Sequence, residues 1–80
     1  MDQTIQRRYT IVLDPDPEGG GYTVTVPALP GCVTQGATAE QCAERAREAI
    51  SGYIESLLAR GLTVPEETEP PRLLEVSVAA

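Results

Sequence analysis

The fold is decided by residues 22–46, YTVTVPALPGCVTQGATAEQCAERA, in which a strand, a rigid corner, a second strand and a helix start follow one another. The first five residues alternate apolar and polar side chains, and this period of two predicts a half-buried strand over Tyr22–Val26. Pro27 and Pro30 predict a rigid corner, because each proline fixes its own φ and pushes the residue before it into an extended conformation. Gly31 can adopt a backbone conformation there that other residues avoid.

A second strand and a helix are predicted after the corner. Cys32–Gln35 is typical of a short strand that Gly36 ends. Thr38 is an N-cap candidate, and Gln41 three residues later completes a capping box. Apolar side chains then recur at intervals of three and four residues, which predicts a helix with one apolar stripe from about Ala39 to Arg60.

Further strands are predicted on both sides of this stretch. Ile5–Leu13 alternates so that Ile5, Tyr9, Ile11 and Leu13 share one face. The segment 14–21, rich in Asp, Pro and Gly, predicts a turn. After the helix, residues 63–71 form an acidic, proline-rich connection, and Leu73–Val78 is predicted to be the last strand, with apolar residues on both faces.

This order of elements predicts an α+β fold. The short connections make the first three strands an antiparallel meander, with the helix on one face. A right-handed crossover then sets the fourth strand parallel to the first, in the order 3-2-1-4. A chain of 80 residues is expected to form one domain, 1–80. Its thin core and two open sheet edges favour a homo-oligomer, most simply a two-fold dimer.

The charge and hydropathy of the chain favour some partners over others. The formal net charge is −6, from 12 acidic residues and 6 basic residues, all of them Arg. Phosphate contacts need basic side chains, so we expect no direct binding to nucleic acid, and a basic protein partner is favoured; solubility alone also explains an acidic surface. No stretch reaches the roughly 18 apolar residues of a membrane helix. The first residues lack the apolar region of a signal peptide, so a cytoplasmic protein is expected.

The residue types argue against catalysis and against cofactors. The sequence contains no His, so neither Cys32 nor a serine has a histidine base to activate it within one chain. Without His or a CxxC pair a zinc site is not expected, and Cys32 and Cys42 are predicted to be buried thiols. The glycines at 19–21 precede a strand rather than a helix, which argues against a phosphate-binding loop. We therefore predict no catalytic residue, no cofactor and no metal.

The motif around the corner resembles the N-terminal domain of the HicB-like antitoxins of bacterial type II toxin–antitoxin pairs. The resemblance covers roughly residues 8–67. The residues that carry it are the glycines before Tyr22, then Pro27, Ala28, Leu29, Pro30, Gly31 and Cys32, followed by Thr34, Gly36 and Thr38. The resemblance implies a partial RNase H-like fold that binds and silences a small, basic, RNA-cleaving toxin of the HicA type.

A basic toxin would be met by the acidic loops. The candidate partner-binding residues are Asp14, Asp16 and Glu18 in the turn and Glu66, Glu67 and Glu69 in the connection. Each of them also fits the ordinary role of a solvated loop charge. Members of the family often carry a DNA-binding module after this domain, and the 80 residues hold none, so operator binding is not expected.

Two interpretations from other classes stay open. One is a self-associating structural module without a toxin partner. The other is a degenerate metal-dependent nuclease, since RNase H chemistry needs several carboxylates that converge on divalent metals. For this role Asp14 and Glu75 are available at the first and last strands, but no acid lies inside the first strand and the acids of the helix lie on its polar side.

Overall fold

The computed structural model describes residues 6–80 as three antiparallel strands and one helix. The strands β1 (Val12–Pro15), β2 (Tyr22–Thr25) and β3 (Val33–Gly36) form one sheet with β2 in the centre. Helix α1 (Ala39–Ala59) packs against β3 and β2. The predicted α+β class and the antiparallel meander are confirmed.

The register of the sheet separates a core face from an open face. Leu13 pairs with Val24, and Val24 pairs with Thr34. Because side chains alternate along a strand, this row points towards α1, where Val24 is buried against Cys42 and Ala46. The opposite face, which we call the open face, carries the rows Val12–Thr25–Val33 and Asp14–Thr23–Gln35.

The buried core consists of two clusters between the sheet and α1. The first comprises Val24, Cys42 and Ala46, and the second comprises Val26, Leu29 and Cys32. Ile11 and Ile50 contact both clusters and join them into one core. Tyr9 and Leu13 also pack against these clusters, which confirms the predicted apolar face for the described part of the first segment.

Helix α1 begins and ends where its capping residues predict. Thr38 Oγ1 accepts a hydrogen bond from Gln41 N at 3.1 Å. Gln41 Oε1 accepts one from the backbone N of Ala37 at 2.6 Å, so the return bond goes to the residue before the N-cap. Gly61, with φ 68°, stands just past the helix end in the left-handed conformation of a C′ residue. The predicted helix is confirmed to within one residue.

The first strand is displaced from its prediction. The pattern predicts Ile5–Leu13, whereas β1 pairs over Val12–Pro15; Ile5 lies outside the described residues. The ladder stops at Val12 because β2 ends at its partner Thr25 and turns into the corner. It continues to Pro15 because the hairpin is tighter than predicted, with Asp16 N donating to Gly21 O at 3.0 Å.

The two strands around the corner also differ from their predictions, the second by ending one residue earlier and the third by a shift of one residue. The pattern predicts Tyr22–Val26, but Val26 leaves the ladder because its N–H donates to Cys32 O inside the corner. The third strand is predicted over Cys32–Gln35 and is found over Val33–Gly36. Gly36 pairs with Tyr22 instead of ending the strand.

The predicted fourth strand is not formed within residues 6–80. Leu73–Val78 pairs with none of the three strands, so the sheet has the order β1-β2-β3 and not 3-2-1-4. Residues 70–80, which we call the arm, run without helix, turn or bend and are exposed throughout. The physical reason lies in Pro70 and Pro71, which hold the chain extended where a return to the sheet would have to begin.

Candidate partner-binding surface

The corner that carries the sequence motif is a compact turn that covers one end of the core beside the sheet. Leu29 N donates to Val26 O at 2.9 Å, and Cys32 N donates to Leu29 O at 3.0 Å. The Leu29 side chain is fully buried. Tyr53 on α1 fixes the corner from outside, since its hydroxyl donates to Pro30 O at 2.7 Å. The motif therefore closes on itself and supplies side chains to the core.

Gly31 and Cys32 have structural positions within this corner. Gly31 has φ 82°, in the left-handed region that favours glycine. The Cys32 side chain is buried, and desolvation raises the pKa of its thiol, which disfavours the reactive thiolate. Pro27 lies exposed at the start of the turn. This part of the motif shapes the backbone and presents no activated nucleophile.

The remaining motif residues set the distance between α1 and the sheet. A Cβ atom at Gly36 would lie 2.8 Å from Cys42 Sγ and 2.9 Å from Cys42 N, so only glycine fits here. Thr38 caps the helix two residues later. Tyr22 pairs with Gly36 and packs against the first core cluster. These residues bring the small start of the helix close to β3.

The first acidic group lies at the hairpin end of the sheet. Asp16 Oδ1 accepts hydrogen bonds from Gly19 N at 3.1 Å and from Glu18 N at 2.9 Å. These two backbone bonds, the Gly19 bond first, hold the pKa of the Asp16 carboxyl below its ordinary value. Asp16 thus organises the turn, while Asp14 and Glu18 expose their carboxylates.

In the second acidic group Glu67 is held by the chain itself. Its Oε1 accepts a hydrogen bond from Thr10 N at 2.6 Å, and its Oε2 accepts one from Thr10 Oγ1 at 2.6 Å. The Thr10 hydroxyl bond, followed by the Thr10 backbone bond, lowers the pKa of Glu67. We call this pair the latch, because it ties the connection to the N-terminal segment. Glu66 and Glu69 are exposed on either side of it.

The structure does not bring the two acidic groups together. Asp16 and Glu18 follow the end of β1 at Pro15, whereas Glu67 binds Thr10 before β1 begins. Thr10 and Asp16 are six residues apart, which is about 20 Å along an extended strand. Asp14 alone lies in the ladder, on the open face. The six acids therefore form two sites at opposite ends of β1.

The structure contains a groove lined by arginines that the sequence pattern did not predict. It has a volume of about 730 Å³ and lies between residues 7–9 and α1. Its lining residues are Arg7, Arg8, Tyr9, Arg47, Ile50, Ser51, Ile54 and Glu55. Three arginines outnumber one glutamate there, so the net charge of −6 conceals a locally basic site. The adjacent pair Arg7 and Arg8 was the available signal.

Two other kinds of site are absent from residues 6–80. No group of three or more His, Cys, Asp or Glu side chains in that range is arranged to hold a metal ion. Within the same residues no helix combines the length and apolarity needed to cross a membrane. Cys32 and Cys42 are buried free thiols, as predicted.

Known proteins match most of the chain. The family model of the HicB-like antitoxins of bacterial toxin–antitoxin systems matches residues 9–76, which include the sheet, the corner and α1. A UPF0150 protein of Thermoplasma acidophilum is 45% identical over 60 residues, which cover 75% of this chain and 86% of that protein. A UPF0150 protein of Synechocystis is 44% identical over 59 residues, which cover 74% and 73%. One from Archaeoglobus fulgidus is 46% identical over 48 residues, which cover 60% and 68%.

Proposed function

We propose, from the premise that this chain belongs to the HicB-like antitoxin family, that it binds and inhibits a small, basic, RNA-cleaving toxin of the HicA type. The observation that carries the proposal is the family match over residues 9–76, which spans every element of the fold. An antitoxin role needs a binding surface and no catalytic group. We accordingly propose that the protein is not an enzyme and uses no cofactor.

The charge of the chain supports a basic partner. A net charge of −6 attracts a cationic protein over distances of about a Debye length and speeds its association. The same charge repels phosphate, so we propose that the protein does not bind nucleic acid directly. We place it, as one domain over residues 1–80, in the bacterial cytoplasm where such a toxin would act.

The exposed acids are the proposed contacts. Asp14 extends from the open face, on which Val33 is 56% exposed, so this face offers an apolar centre beside a carboxylate. Asp16 and Glu18 continue the acidic surface into the hairpin. At the other end of β1 the proposed contacts are Glu66, Glu67 and Glu69. Of these, Glu67 serves the latch as well, so its carboxylate is the least available to a partner.

We further propose that the protein is a homo-oligomer. The supporting observation is the arm, whose four large apolar side chains are 76% to 88% exposed. The same observation favours the second candidate function, a structural module that only self-associates. A fourth strand would also complete the partial RNase H-like sheet that the family resemblance implies. For the third candidate, a degenerate nuclease, the two available carboxylates lie on different segments, with Asp14 on β1 and Glu75 on the exposed arm.

Inhibition of RNA cleavage tests the proposed function. The purified chain is titrated against a HicA-type toxin, and cleavage of a labelled RNA is measured. We expect cleavage to stop at a stoichiometric ratio. Two double variants, Asp14→Asn with Glu18→Gln and Glu66→Gln with Glu69→Gln, locate the contact. The end of β1 that binds the toxin should show about a tenfold weaker affinity and a reduced salt dependence.

A control variant on the helix and an assay with magnesium complete the experiment. Glu48→Gln removes an exposed carboxylate from α1 and should leave inhibition unchanged. Undiminished cleavage at a tenfold excess of the chain would refute the antitoxin role and leave the self-associating module. Magnesium-dependent cleavage by the chain alone would instead establish the nuclease.

A further inference from the structure

The arm has the properties of a strand without a sheet. Leu73, Leu74, Val76 and Val78 are 88%, 76%, 84% and 81% exposed. The segment is free of turns and bends, so alternate side chains point to opposite sides, with Leu74, Val76 and Val78 together on one of them. A long apolar strand with free backbone groups is a template for pairing with another chain.

The body of the molecule offers a matching edge. Among the described strands β1 pairs only with β2, and residues 6–11 continue beyond the last pair of that ladder. The arginine-lined groove lies along this N-terminal segment. Tyr9 and Ile50 in its lining belong to the second core cluster, and Ile54 extends the apolar surface along α1. The groove is therefore an extension of the core that residues 6–80 leave open.

The arm does not reach the groove of its own chain. The latch holds Glu67 at Thr10, and residues 66–71 then pass beside Pro27 and Ala28 at the corner. To return to its own groove, the chain would have to reverse its direction before Leu73. Two consecutive prolines keep the backbone extended there. The radius of gyration is 15.3 Å, compared with about 11.6 Å for a compact chain of this length. The arm thus points away from its own body.

We propose that the arm of one copy adds as a fourth strand to the N-terminal edge of a second copy, and that the second copy returns its own arm. The two junctions are then identical, as a closed two-fold dimer requires. The exchange specifies how the self-association of the proposed function occurs and rests on that part of it. Leu74, Val76 and Val78 enter the groove and cover Ile50 and Ile54 of the second copy.

Length and charge support this occupant. The described residues 6–11 are enough to pair with the whole of residues 73–78, in a ladder of about 20 Å. Arg7 and Arg8 line the groove that receives the arm, and the arm carries the acid Glu75 between Leu74 and Val76. The two surfaces therefore offer charges of opposite sign.

Sedimentation equilibrium on the full chain provides the test. The expected species has twice the chain mass of 8.5 kDa. Val76→Glu places a carboxylate on the inserted face and should weaken the dimer at least 100-fold, whereas Ser77→Glu, one residue away on the opposite face, should change the dissociation constant less than threefold. Ile54→Glu, in the groove, should weaken the dimer as Val76→Glu does. Far-UV circular dichroism checks that each variant keeps its helix.

Mixing two defective variants identifies the exchange itself. In a mixture of Val76→Glu and Ile54→Glu chains, the intact arm of the second variant can enter the intact groove of the first. One of the two junctions is then restored, and a mixed dimer should form although neither variant dimerises alone. A dimer that persists in Val76→Glu, or a mixture that stays monomeric, overturns the exchange. A single 8.5 kDa species of the unmodified chain up to millimolar concentration overturns self-association as well, and toxin inhibition is measured independently of both.

Discussion

The corner (residues 26–32) and the arm (residues 70–80) are both apolar segments with two prolines, yet one is core and the other is surface. Leu29 in the corner is fully buried, whereas Leu73 in the arm is 88% exposed. The corner closes through its own backbone hydrogen bonds and meets α1 at Tyr53. The arm pairs with none of the three described strands, and its large apolar side chains are exposed. Apolar composition thus indicates that burial of a segment is favourable. Whether the segment is buried within its own chain depends on the conformation of the neighbouring backbone.

The largest expected difference comes from truncating one leucine in each region. Leu29→Ala should lower the free energy of unfolding by about 2–5 kcal/mol, because it leaves a cavity in a fully buried site. Leu74→Ala, at a protein concentration that keeps the chain monomeric, should change it by less than about 0.5 kcal/mol, as exposed positions do. Urea denaturation of both variants measures the two values.

The leucine comparison has a clear failing outcome. Comparable losses from the two variants in the monomer would mean that the arm packs on its own body. A Leu74→Ala effect that appears only at high concentration would place the contribution of the arm in the association step.

The local part of the fold was predictable from the sequence. The capping residues Thr38 and Gln41 and the 3.6-residue periodicity placed α1 to within a residue, since these signals act over one turn of the chain. The corner was predictable for the same reason, because its prolines and Gly31 constrain their own backbone. Strand ends were predicted less well. They depend on which residues of the neighbouring strand remain to be paired, and β2 ends where its own corner begins.

The distant contacts were not predictable from the pattern. Glu67 lies in an acidic loop and its sequence surroundings predict a solvated charge, yet it binds Thr10, 57 positions away in the chain. The arginine-lined groove arises because residues 7–9 come to lie beside α1. The adjacent Arg7 and Arg8 were its local signal, but no local pattern records their approach to the helix. Leu73–Val78 was predicted to be the fourth strand, and the structure leaves it unpaired. The alternation of its side chains carries no information on whether the sheet of its own chain would pair with it.

A second pair of variants tests the close packing behind the corner. Gly36→Ala should lower the free energy of unfolding by about 1–3 kcal/mol, because the new Cβ would lie 2.9 Å from the backbone N of Cys42. Gly52→Ala on α1 is the matched control, since a Cβ there meets no atom within 4 Å. It should raise stability by up to about 1 kcal/mol through helix propensity. A harmless Gly36→Ala would show that α1 can move off β3 at little cost.

The smallest expected effect concerns the latch, which marks where the ordered connection gives way to the arm. The Thr10 hydrogen bonds lower the pKa of Glu67 in the folded state, so its contribution to stability is present above its unfolded pKa of about 4.5 and is lost as the pH falls through the folded value. Glu67→Gln should therefore flatten the loss of stability below pH 4.5, as measured by thermal unfolding at a series of pH values.

Asp16 must be separated from this effect, because its pKa is also lowered and its contribution is lost with falling pH in the same direction. Some acid sensitivity should thus remain in Glu67→Gln, and adding Asp16→Asn should reduce it further. Glu69→Gln, which changes an exposed carboxylate two residues from the latch, should keep the pH profile of the unmodified chain. If Glu67→Gln also keeps that profile, the carboxylate does not hold the connection, and the arm would begin at Pro65, where the Tyr9 hydroxyl donates to the backbone carbonyl.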